Sequence, residues 1–185
     1  MRVISGTYGG RPLKSLASEL TRPTGDKLKE TLFNLIGPYF KGGNVLDLYA
    51  GSGALGIEAV SRGMDQAVLV DNNYEAIQII NENVTMTKEE MKFEVMNTSA
   101  DAALNTLAIR HEKFSLIFLD PPYEKQEVET DIEKIIEQDL LNDIAVIVCE
   151  VARDVELPEA IEELSLWDER VYRTKKLVIY QKLAN

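Results

Sequence analysis

Apolar and amphipathic stretches alternate along most of this chain of 185 residues. The short apolar stretches have the composition of buried strands, and they are NVLDLY, QAVLVD, KFEVMN, FSLIFLD and IAVIVCE. Segments such as GALGIEAVSRG and NYEAIQIINENVTM lie between them and have the apolar spacing of helices. Strands that are apolar throughout and alternate with helices indicate an α/β protein whose parallel sheet is covered on both faces. In such folds, ligands bind at the carboxyl ends of the strands.

The two ends of the chain depart from this alternation. MRVISGTYGGRPLKS contains short β-prone runs interrupted by glycines, which predicts a hairpin-like N-terminal extension. TRPTGDKLKETLFNLIGPYF predicts a helix that ends near Gly37-Pro38, and the tail LSLWDERVYRTKKLVIYQKL predicts an antiparallel pair of strands. We therefore divide the chain into a basic extension, residues 1–20, and one domain, residues 21–185. We expect the α/β body to keep its fold and its cofactor binding when residues 1–15 are removed.

The composition limits the class of protein. Hydrophobic residues make up 45% of the chain and charged residues 28%, which suits a globular core. No apolar run is long enough to span a bilayer and the first residues do not resemble a signal peptide, so we expect a cytoplasmic protein that does not contact membranes. Cys149 is the only cysteine and His111 the only histidine. We expect Cys149 to be a buried, inert thiol and we expect no metal site.

Charge is distributed unevenly along the chain. The net charge is −11, which argues against a general nucleic-acid-binding protein, because phosphate contacts need clustered Lys and Arg. Residues 1–41 nevertheless hold seven basic and three acidic side chains, a net charge of +4, and the other 144 residues carry −15. Two interpretations are open: a basic arm on an acidic body that faces a polyanion, or an ordinary solvated surface.

A glycine-rich turn follows the first strand of the alternating pattern. Gly51, Gly53 and Gly56 match G-x-G-x-x-G between a predicted strand and a predicted helix, where a ligand can lie against the backbone. Asp71 closes the next apolar run, twenty positions after Gly51, where an acid can accept hydrogen bonds from ribose hydroxyls. Together these features predict a nucleoside-bearing cofactor. The alternative is a tight turn beside a surface acid.

The charge of Asp47 favours one kind of nucleoside cofactor over another. It ends the first strand, four residues before the first glycine, where a carboxylate would repel the pyrophosphate of a dinucleotide. An ammonium group suits the same position. S-adenosyl-L-methionine carries an ammonium group and a ribose diol but no phosphate, and we therefore expect it to be the cofactor.

The fourth apolar run ends in a carboxylate, two prolines and an aromatic ring. Asp120, Pro121, Pro122 and Tyr123 should lie at the same edge of the sheet as the glycine loop. The Asp120 carboxylate and the Pro121 carbonyl, held by consecutive prolines of fixed φ, can accept both hydrogens of an exocyclic amino group. These bonds favour the pyramidal nitrogen of a methyl-transfer transition state, and the Tyr123 ring can stack on the base. An ordinary strand-ending turn is the alternative.

The quoted motifs carry a family resemblance. DLYAGSGALGIEAVSRG, DPPY, SGTYGGRPLKS and TRPTGDKLKETLFNLI resemble the bacterial 16S rRNA guanine-N2 methyltransferases of the RsmD family. The resemblance implies a Rossmann-like class I methyltransferase with a seven-stranded, mostly parallel sheet. It also implies a monomeric enzyme that methylates one guanine of small-subunit rRNA within an assembling particle that contains ribosomal proteins.

The resemblance also implies roles for individual residues. Residues 120–123 would hold the guanine. The cofactor would contact Asp47, Tyr49, Ala50, Gly51, Gly53, Asp71, Asn72, Ser99 and Ala100. The basic residues expected to face the RNA are Arg2, Arg11, Lys14, Arg22 and Lys27. The sequence departs from the family at Ser99, where an acid followed by alanine is common and where Asp101 is a possible replacement, and at Arg173, where a glycine is expected.

Two other functions are compatible with part of the pattern. A DNA amino-methyltransferase shares Asp-Pro-Pro-Tyr but generally needs additional protein for sequence readout. A catalytically silent cofactor-binding module would need the glycine loop but not residues 120–123. Guanine N2, adenine N6 and cytosine N4 also offer the same two hydrogens to Asp120 and Pro121. The choice of guanine therefore depends on the family resemblance.

Overall fold

The computed structural model of the protein describes residues 1–19, 25–122 and 127–184. Within these residues, helices and strands alternate as the sequence pattern predicts, which confirms the α/β class. The chain divides into two units, Met1–Ala100 and Asp101–Asn185. The division at residues 20 and 21 falls at the start of residues 20–24, outside the described residues, and stays a prediction.

Three parallel strands form the sheet of the first unit. The elements of this unit are α1 (Gly25–Ile36), β1 (Asn44–Asp47), α2 (Ala54–Ser61), β2 (Gln66–Asp71), α3 (Tyr74–Met86), a short 3-10 helix (Glu90–Lys92) and β3 (Phe93–Asn97). β2 lies between β1 and β3, with Asn44 opposite Gln66 and Ala67 opposite Phe93. Parallel pairing needs crossover connections, which α2 and α3 supply. All three strands therefore end at the same edge, which is where the predicted cofactor residues follow.

The hairpin-like N-terminal extension is confirmed. The Val3 amide donates to the Arg11 carbonyl at 2.9 Å, the Gly10 amide donates to the Val3 carbonyl at 2.8 Å, and Arg2 pairs with Pro12 in an antiparallel bridge. Val3, Tyr8 and Leu13 have exposed fractions of 5% or less. The extension is thus part of the core of the first unit.

A buried carboxylate fastens this extension to two helices. Glu58 on α2 is completely buried and accepts hydrogen bonds from the amides of Ile4 and Ser5, at 2.9 and 3.1 Å. It also pairs with Lys29 on α1 at 3.3 Å and with Arg62 at 2.7 Å. A buried carboxylate that loses its donors is strongly destabilising. Removal of residues 1–15 would take away the Ile4 and Ser5 amides, so this packing argues against our expectation that the α/β body keeps its fold without them.

The second unit contains one parallel strand pair followed by antiparallel strands. α4 (Ala100–Ile109) begins at the last residue of the first unit, and the second unit continues with β4 (Phe114–Leu119), α5 (Val128–Glu137), β5 (Leu141–Ala152), β6 (Ala160–Ile161), β7 (Leu164–Val171) and β8 (Lys175–Lys182). β4 and β5 are parallel, whereas β8 lies antiparallel between β5 and β7. The predicted antiparallel tail is confirmed. The described residues hold eight strands, and the two-residue β6 accounts for the one beyond the expected seven.

Two predictions about single residues of the second unit can be compared with the structure. Cys149 on β5 is completely buried, as predicted, and burial raises the pKa of its thiol far above the usual range, which favours the protonated, less reactive form. Arg173 lies in the bend between β7 and β8, which the Tyr172 amide closes by donating to the Lys175 carbonyl at 2.8 Å. Arg173 has no positive φ, so this turn does not require the expected glycine.

Within residues 1–19, 25–122 and 127–184, every helix lacks the length or the apolar character needed to span a bilayer.

Candidate active site

The glycine loop connects β1 to α2 at the carboxyl edge of the first unit's sheet. Gly51 and Gly53 have φ values of 59° and 82°, in the left-handed region where residues with a Cβ are strained. The Ala50 amide donates to the Val70 carbonyl of β2 at 2.8 Å, and the Gly53 amide donates back to the Ala50 carbonyl at 2.8 Å. These bonds fix a tight turn whose backbone a ligand can approach closely.

Asp71 joins the glycine loop to the end of β2. One oxygen of its carboxylate accepts the Gly51 amide at 2.9 Å, and the other accepts the Asn73 amide at 2.9 Å. The side chain is half-buried, and each carboxylate oxygen can accept a further hydrogen bond. Asp71 can therefore hold the loop and still accept hydrogen bonds from the two hydroxyls of a ribose.

Asp47 lies beneath the loop at the end of β1. It is 2% exposed and accepts the Gly56 amide of α2 at 3.2 Å. The pKa of its carboxyl is raised to about 7, chiefly by burial and also by the nearby carboxylates of Asp71 and Glu19, against the opposing hydrogen bond from Gly56. A cation close to this carboxyl would relieve the cost of ionising it.

The other predicted cofactor residues lie along the same edge of the first unit. Tyr49 is half-buried and Ala50 is buried in the loop after β1, and Asn72 is exposed just after β2. Ser99 and Ala100 follow Thr98, whose amide donates to the Asp71 carbonyl at 3.1 Å. The structure thus brings together the predicted cofactor residues at the ends of β1, β2 and β3. Asp101, the possible replacement for an acid at position 99, forms an ion pair with Lys134 at 2.8 Å.

The predicted amino-group ligands belong to the second unit. Asp120 follows β4 directly and is half-buried, Pro121 is buried, and Pro122 is exposed. Phe114–Leu119 is buried except at Ser115, so the position of the Asp120 backbone is fixed by a well-packed strand. Tyr123 lies outside the residues that the structure describes. The predicted placement of residues 120–123 beside the glycine loop stays a prediction.

The basic residues expected to face RNA have different surroundings. Arg2, Lys14 and Lys27 are exposed, although Lys14 forms a surface ion pair with Glu82 at 3.0 Å. The Arg11 guanidinium donates to the Thr87 carbonyl at 3.1 Å, after the C-terminal end of α3. Arg22 is not among the described residues.

The sequence pattern did not identify three residues that contact the glycine loop or belong to it: Asn83, Ser52 and Glu19. Asn83 is 2% exposed. Its amide nitrogen donates to the carbonyls of Ser52 and Lys14, at 2.9 and 3.0 Å, and its amide oxygen accepts the Lys14 amide at 2.8 Å. The Ser52 hydroxyl donates to the Glu19 carboxylate at 3.0 Å. Asn83 falls on the buried face of α3 with Ala76 and Ile80, and that polar position in an apolar stripe was a usable signal. Nothing in the sequence pattern indicated Ser52 or Glu19.

The fold and the glycine loop define a class I methyltransferase, whose cofactor is S-adenosyl-L-methionine. The same fold occurs in the structure of SMU.776 complexed with SAH, which has a TM-score of 0.67 and 13% identity and covers 84% of this chain and 48% of that one. The family described as "Conserved hypothetical protein 95" matches residues 1–181, and the chain belongs to this family, the RsmD family that its motifs resemble.

Close relatives cover nearly the whole chain. YlbH of Bacillus subtilis strain 168 is 44% identical over 182 residues, which span 98% of this chain and 99% of the relative. "Ribosomal RNA small subunit methyltransferase D" of Escherichia coli K12 is 33% identical over 184 residues, or 100% of this chain and 91% of the relative. The solved structure of yhhF from Escherichia coli has a TM-score of 0.86 and 32% identity, and covers 100% of this chain and 99% of that chain.

Proposed function

We propose that the protein transfers a methyl group from S-adenosyl-L-methionine to the exocyclic N2 amino group of one guanine in small-subunit rRNA. The observation that carries this proposal is the Asp-Pro-Pro segment at the end of a buried strand, in a chain whose glycine loop and Asp71 suit that cofactor. The rRNA substrate is supported by the name of the Escherichia coli relative. The choice of guanine rests on the RsmD family.

The residues of the first unit fit the cofactor. When bound, S-adenosyl-L-methionine supplies an electrophilic methyl group on a sulfonium centre. Asp71 would accept hydrogen bonds from the ribose, and the backbone of the glycine loop would hold the adjoining part of the cofactor. Asp47 favours a neighbouring cation, because a positive charge stabilises the ionised form of its buried carboxyl. Tyr49, Ala50, Asn72, Ser99 and Ala100 complete the proposed contacts.

Asp120 and Pro121 prepare the nucleophile. An exocyclic amino nitrogen is a weak nucleophile because its lone pair is delocalised into the base. The Asp120 carboxylate accepts one of its hydrogens and the Pro121 carbonyl accepts the other, which favours the pyramidal geometry of the transition state. The bound cofactor would supply the methyl carbon for the new carbon–nitrogen bond and would leave as a neutral thioether, and the proton displaced from the nitrogen would pass to water. Pro122 keeps the turn rigid, and Tyr123 stacks on the base.

We further propose that a small-subunit particle, rather than free rRNA, is the substrate of this cytoplasmic monomer. A base inside a duplex is out of reach, so the target is an unpaired or flipped nucleotide. The exposed side chains of Arg2, Lys14 and Lys27 can contact phosphates, and Arg11 and Arg22 belong to the same proposed arm. Residues 42–185 carry a net charge of −15, which disfavours binding to bare RNA. Basic ribosomal proteins on a particle would offset this repulsion.

Substitution of Asp120 tests the reaction. Asp120→Ala should reduce methyl transfer to small-subunit particles by at least about 100-fold, because it removes a hydrogen-bond acceptor that acts in the transition state. Its affinity for S-adenosylhomocysteine should stay within a few-fold of the wild-type value. Asp143→Ala is the matched control, since Asp143 is an exposed acid of the same unit. Transfer is measured with radiolabelled cofactor and affinity by calorimetric titration.

Nucleoside analysis identifies the product. Particles from cells that lack the protein should gain one N2-methylguanosine when the purified enzyme is added. Appearance of N6-methyladenine would contradict the choice of base, and transfer to DNA alone would contradict the choice of nucleic acid. Full activity of Asp120→Ala would contradict the role given to the carboxylate.

A further inference from the structure

Glu19 at the end of the N-terminal extension lies against the glycine loop. Its carboxylate accepts a hydrogen bond from the Ser52 hydroxyl at 3.0 Å. A Cβ placed on Gly51 would lie 3.3 Å from the other carboxylate oxygen, so this oxygen faces the loop where Gly51 has no side chain. Glu19 therefore bonds to Ser52 and lies beside Gly51, the residue before it in the loop.

Glu19 and Asp47 differ in how accessible they are to a ligand. Asp47 is 2% exposed and its carboxylate accepts the Gly56 amide, whereas Glu19 is half-buried. Glu19 is close enough to Asp47 to help raise the pKa of the Asp47 carboxyl. Both carboxylates thus contribute negative charge beside the glycine loop. Only Glu19 of the two has enough accessible surface to contact a ligand directly.

We propose that Glu19 is a cofactor-binding residue that accepts a hydrogen bond from the ammonium group of the cofactor's methionine portion. This inference rests on the proposed placement of the cofactor on the glycine loop. A carboxylate receives an ammonium group through a short charge-assisted hydrogen bond. The positive charge of the ammonium group also reduces the repulsion between Glu19 and Asp47. Asp47 therefore attracts the ammonium group from a distance, while Glu19 makes the direct hydrogen bond.

The ammonium contact distinguishes Glu19 from a residue that only shapes the loop. Three ligands separate the two roles in calorimetric titrations of the full chain. S-adenosylhomocysteine has the ammonium and carboxylate groups, its decarboxylated form keeps only the ammonium group, and methylthioadenosine has neither. All three keep the adenosine portion, so binding of methylthioadenosine also reports that a variant is folded.

Glu19→Gln should weaken binding of S-adenosylhomocysteine and of its decarboxylated form by about five- to tenfold, the effect of removing a charge from a partly exposed pair. Binding of methylthioadenosine should stay within about twofold. Glu30→Gln is the control with the same change in net charge, because Glu30 is exposed on α1. An equal loss for all three ligands would show that Glu19 shapes the loop, and unchanged affinity for both ammonium ligands would show no contact; either result overturns the inference.

Asp71→Asn separates failure of this inference from failure of the proposed cofactor site. Its predicted contact is with the ribose, which all three ligands share, so all three should bind more weakly. If Asp71→Asn leaves all three affinities unchanged, the placement of the cofactor is wrong and the role of Glu19 fails with it. If Asp71→Asn weakens all three while Glu19→Gln weakens none, only the role of Glu19 is wrong.

Discussion

Asp47 shows how burial changes the behaviour of a single side chain. Its carboxyl ends β1, accepts one amide, and has a pKa raised from 3.8 to about 7, chiefly because burial disfavours the charge. A group with a raised pKa is protonated in the folded protein and ionised in the unfolded chain between those two values. The folded state therefore binds more protons in this range, and its stability falls as the pH rises through about 7.

Asp47→Asn should remove this dependence. The variant should be more stable than the wild type above pH 7 by about 2 to 4 kcal/mol, because Asn still accepts the Gly56 amide and carries no charge to bury. The difference should shrink steadily as the pH falls toward 4. Urea unfolding of both proteins between pH 5 and 8 measures it. A difference that does not vary with pH would contradict the raised pKa, and Asp143→Asn supplies the exposed control.

Helix α3 connects the N-terminal extension to the glycine loop through one amide side chain. Asn83 makes three hydrogen bonds, two with the Lys14 backbone and one with the Ser52 carbonyl. All of its polar atoms are satisfied by backbone that belongs to other segments of the first unit. A change near Lys14 in the extension can therefore alter the loop through Asn83, separately from the proposed contact of Glu19 with the cofactor.

Asn83→Ala should destabilise the protein by about 2 to 4 kcal/mol, because it leaves the buried carbonyl of Ser52 and the partly buried backbone groups of Lys14 without this partner. It should also weaken binding of S-adenosylhomocysteine, since the loop loses one of its anchors. Asn81→Ala is a close control: Asn81 lies two positions away on the same helix but is exposed. Unfolding and titration of both variants are the measurements. Equal effects of the two substitutions would refute the connection.

The elements were predictable from sequence because each depends on local pattern, whereas several site contacts were not. The apolar runs around Asp47, Asp71 and Asp120 identify strands, and a carboxylate at the end of each is visible in the sequence. Glu19 meets Ser52 only after the extension folds back on the unit, and no spacing rule predicts that contact. Lys29 similarly contributes to the positive count of residues 1–41 but is 5% exposed and paired with a buried acid.

At the scale of the whole molecule, the charge available to a polyanion is smaller than the sequence count implies. Residues 1–41 have a net charge of +4, but Lys29 is buried and the Arg11 guanidinium binds carbonyls near the end of α3. Exposed Arg2 and Lys27 remain the clearest candidates for phosphate contacts. Loss of activity after deletion of the extension would not identify RNA contacts, since the deletion also removes part of the core.

Substitution of exposed charges avoids this difficulty. Replacing Arg2 and Lys27 together by Ala should lower methylation of small-subunit particles and reduce the slope of log kcat/KM against log salt concentration by about 1 to 2, as expected for one or two lost phosphate contacts. Affinity for S-adenosylhomocysteine should not change. Lys134→Ala, which removes a partly exposed cation from the second unit, should leave the slope unaltered. An unchanged slope in the double variant would show that Arg2 and Lys27 do not contact phosphates and belong to an ordinary solvated surface.

The completely buried Cys149 can serve as a built-in probe of local opening in the second unit. Because the chain has no other cysteine, a thiol-specific reagent can react only when the region around β5 opens. The labelling rate, divided by the rate for an unfolded thiol, then gives the opening equilibrium of that region under native conditions. Comparing this equilibrium with global unfolding would reveal whether the strand that bears Cys149 opens alone or only with the entire fold. The wild-type sequence already contains the single probe that such a measurement needs.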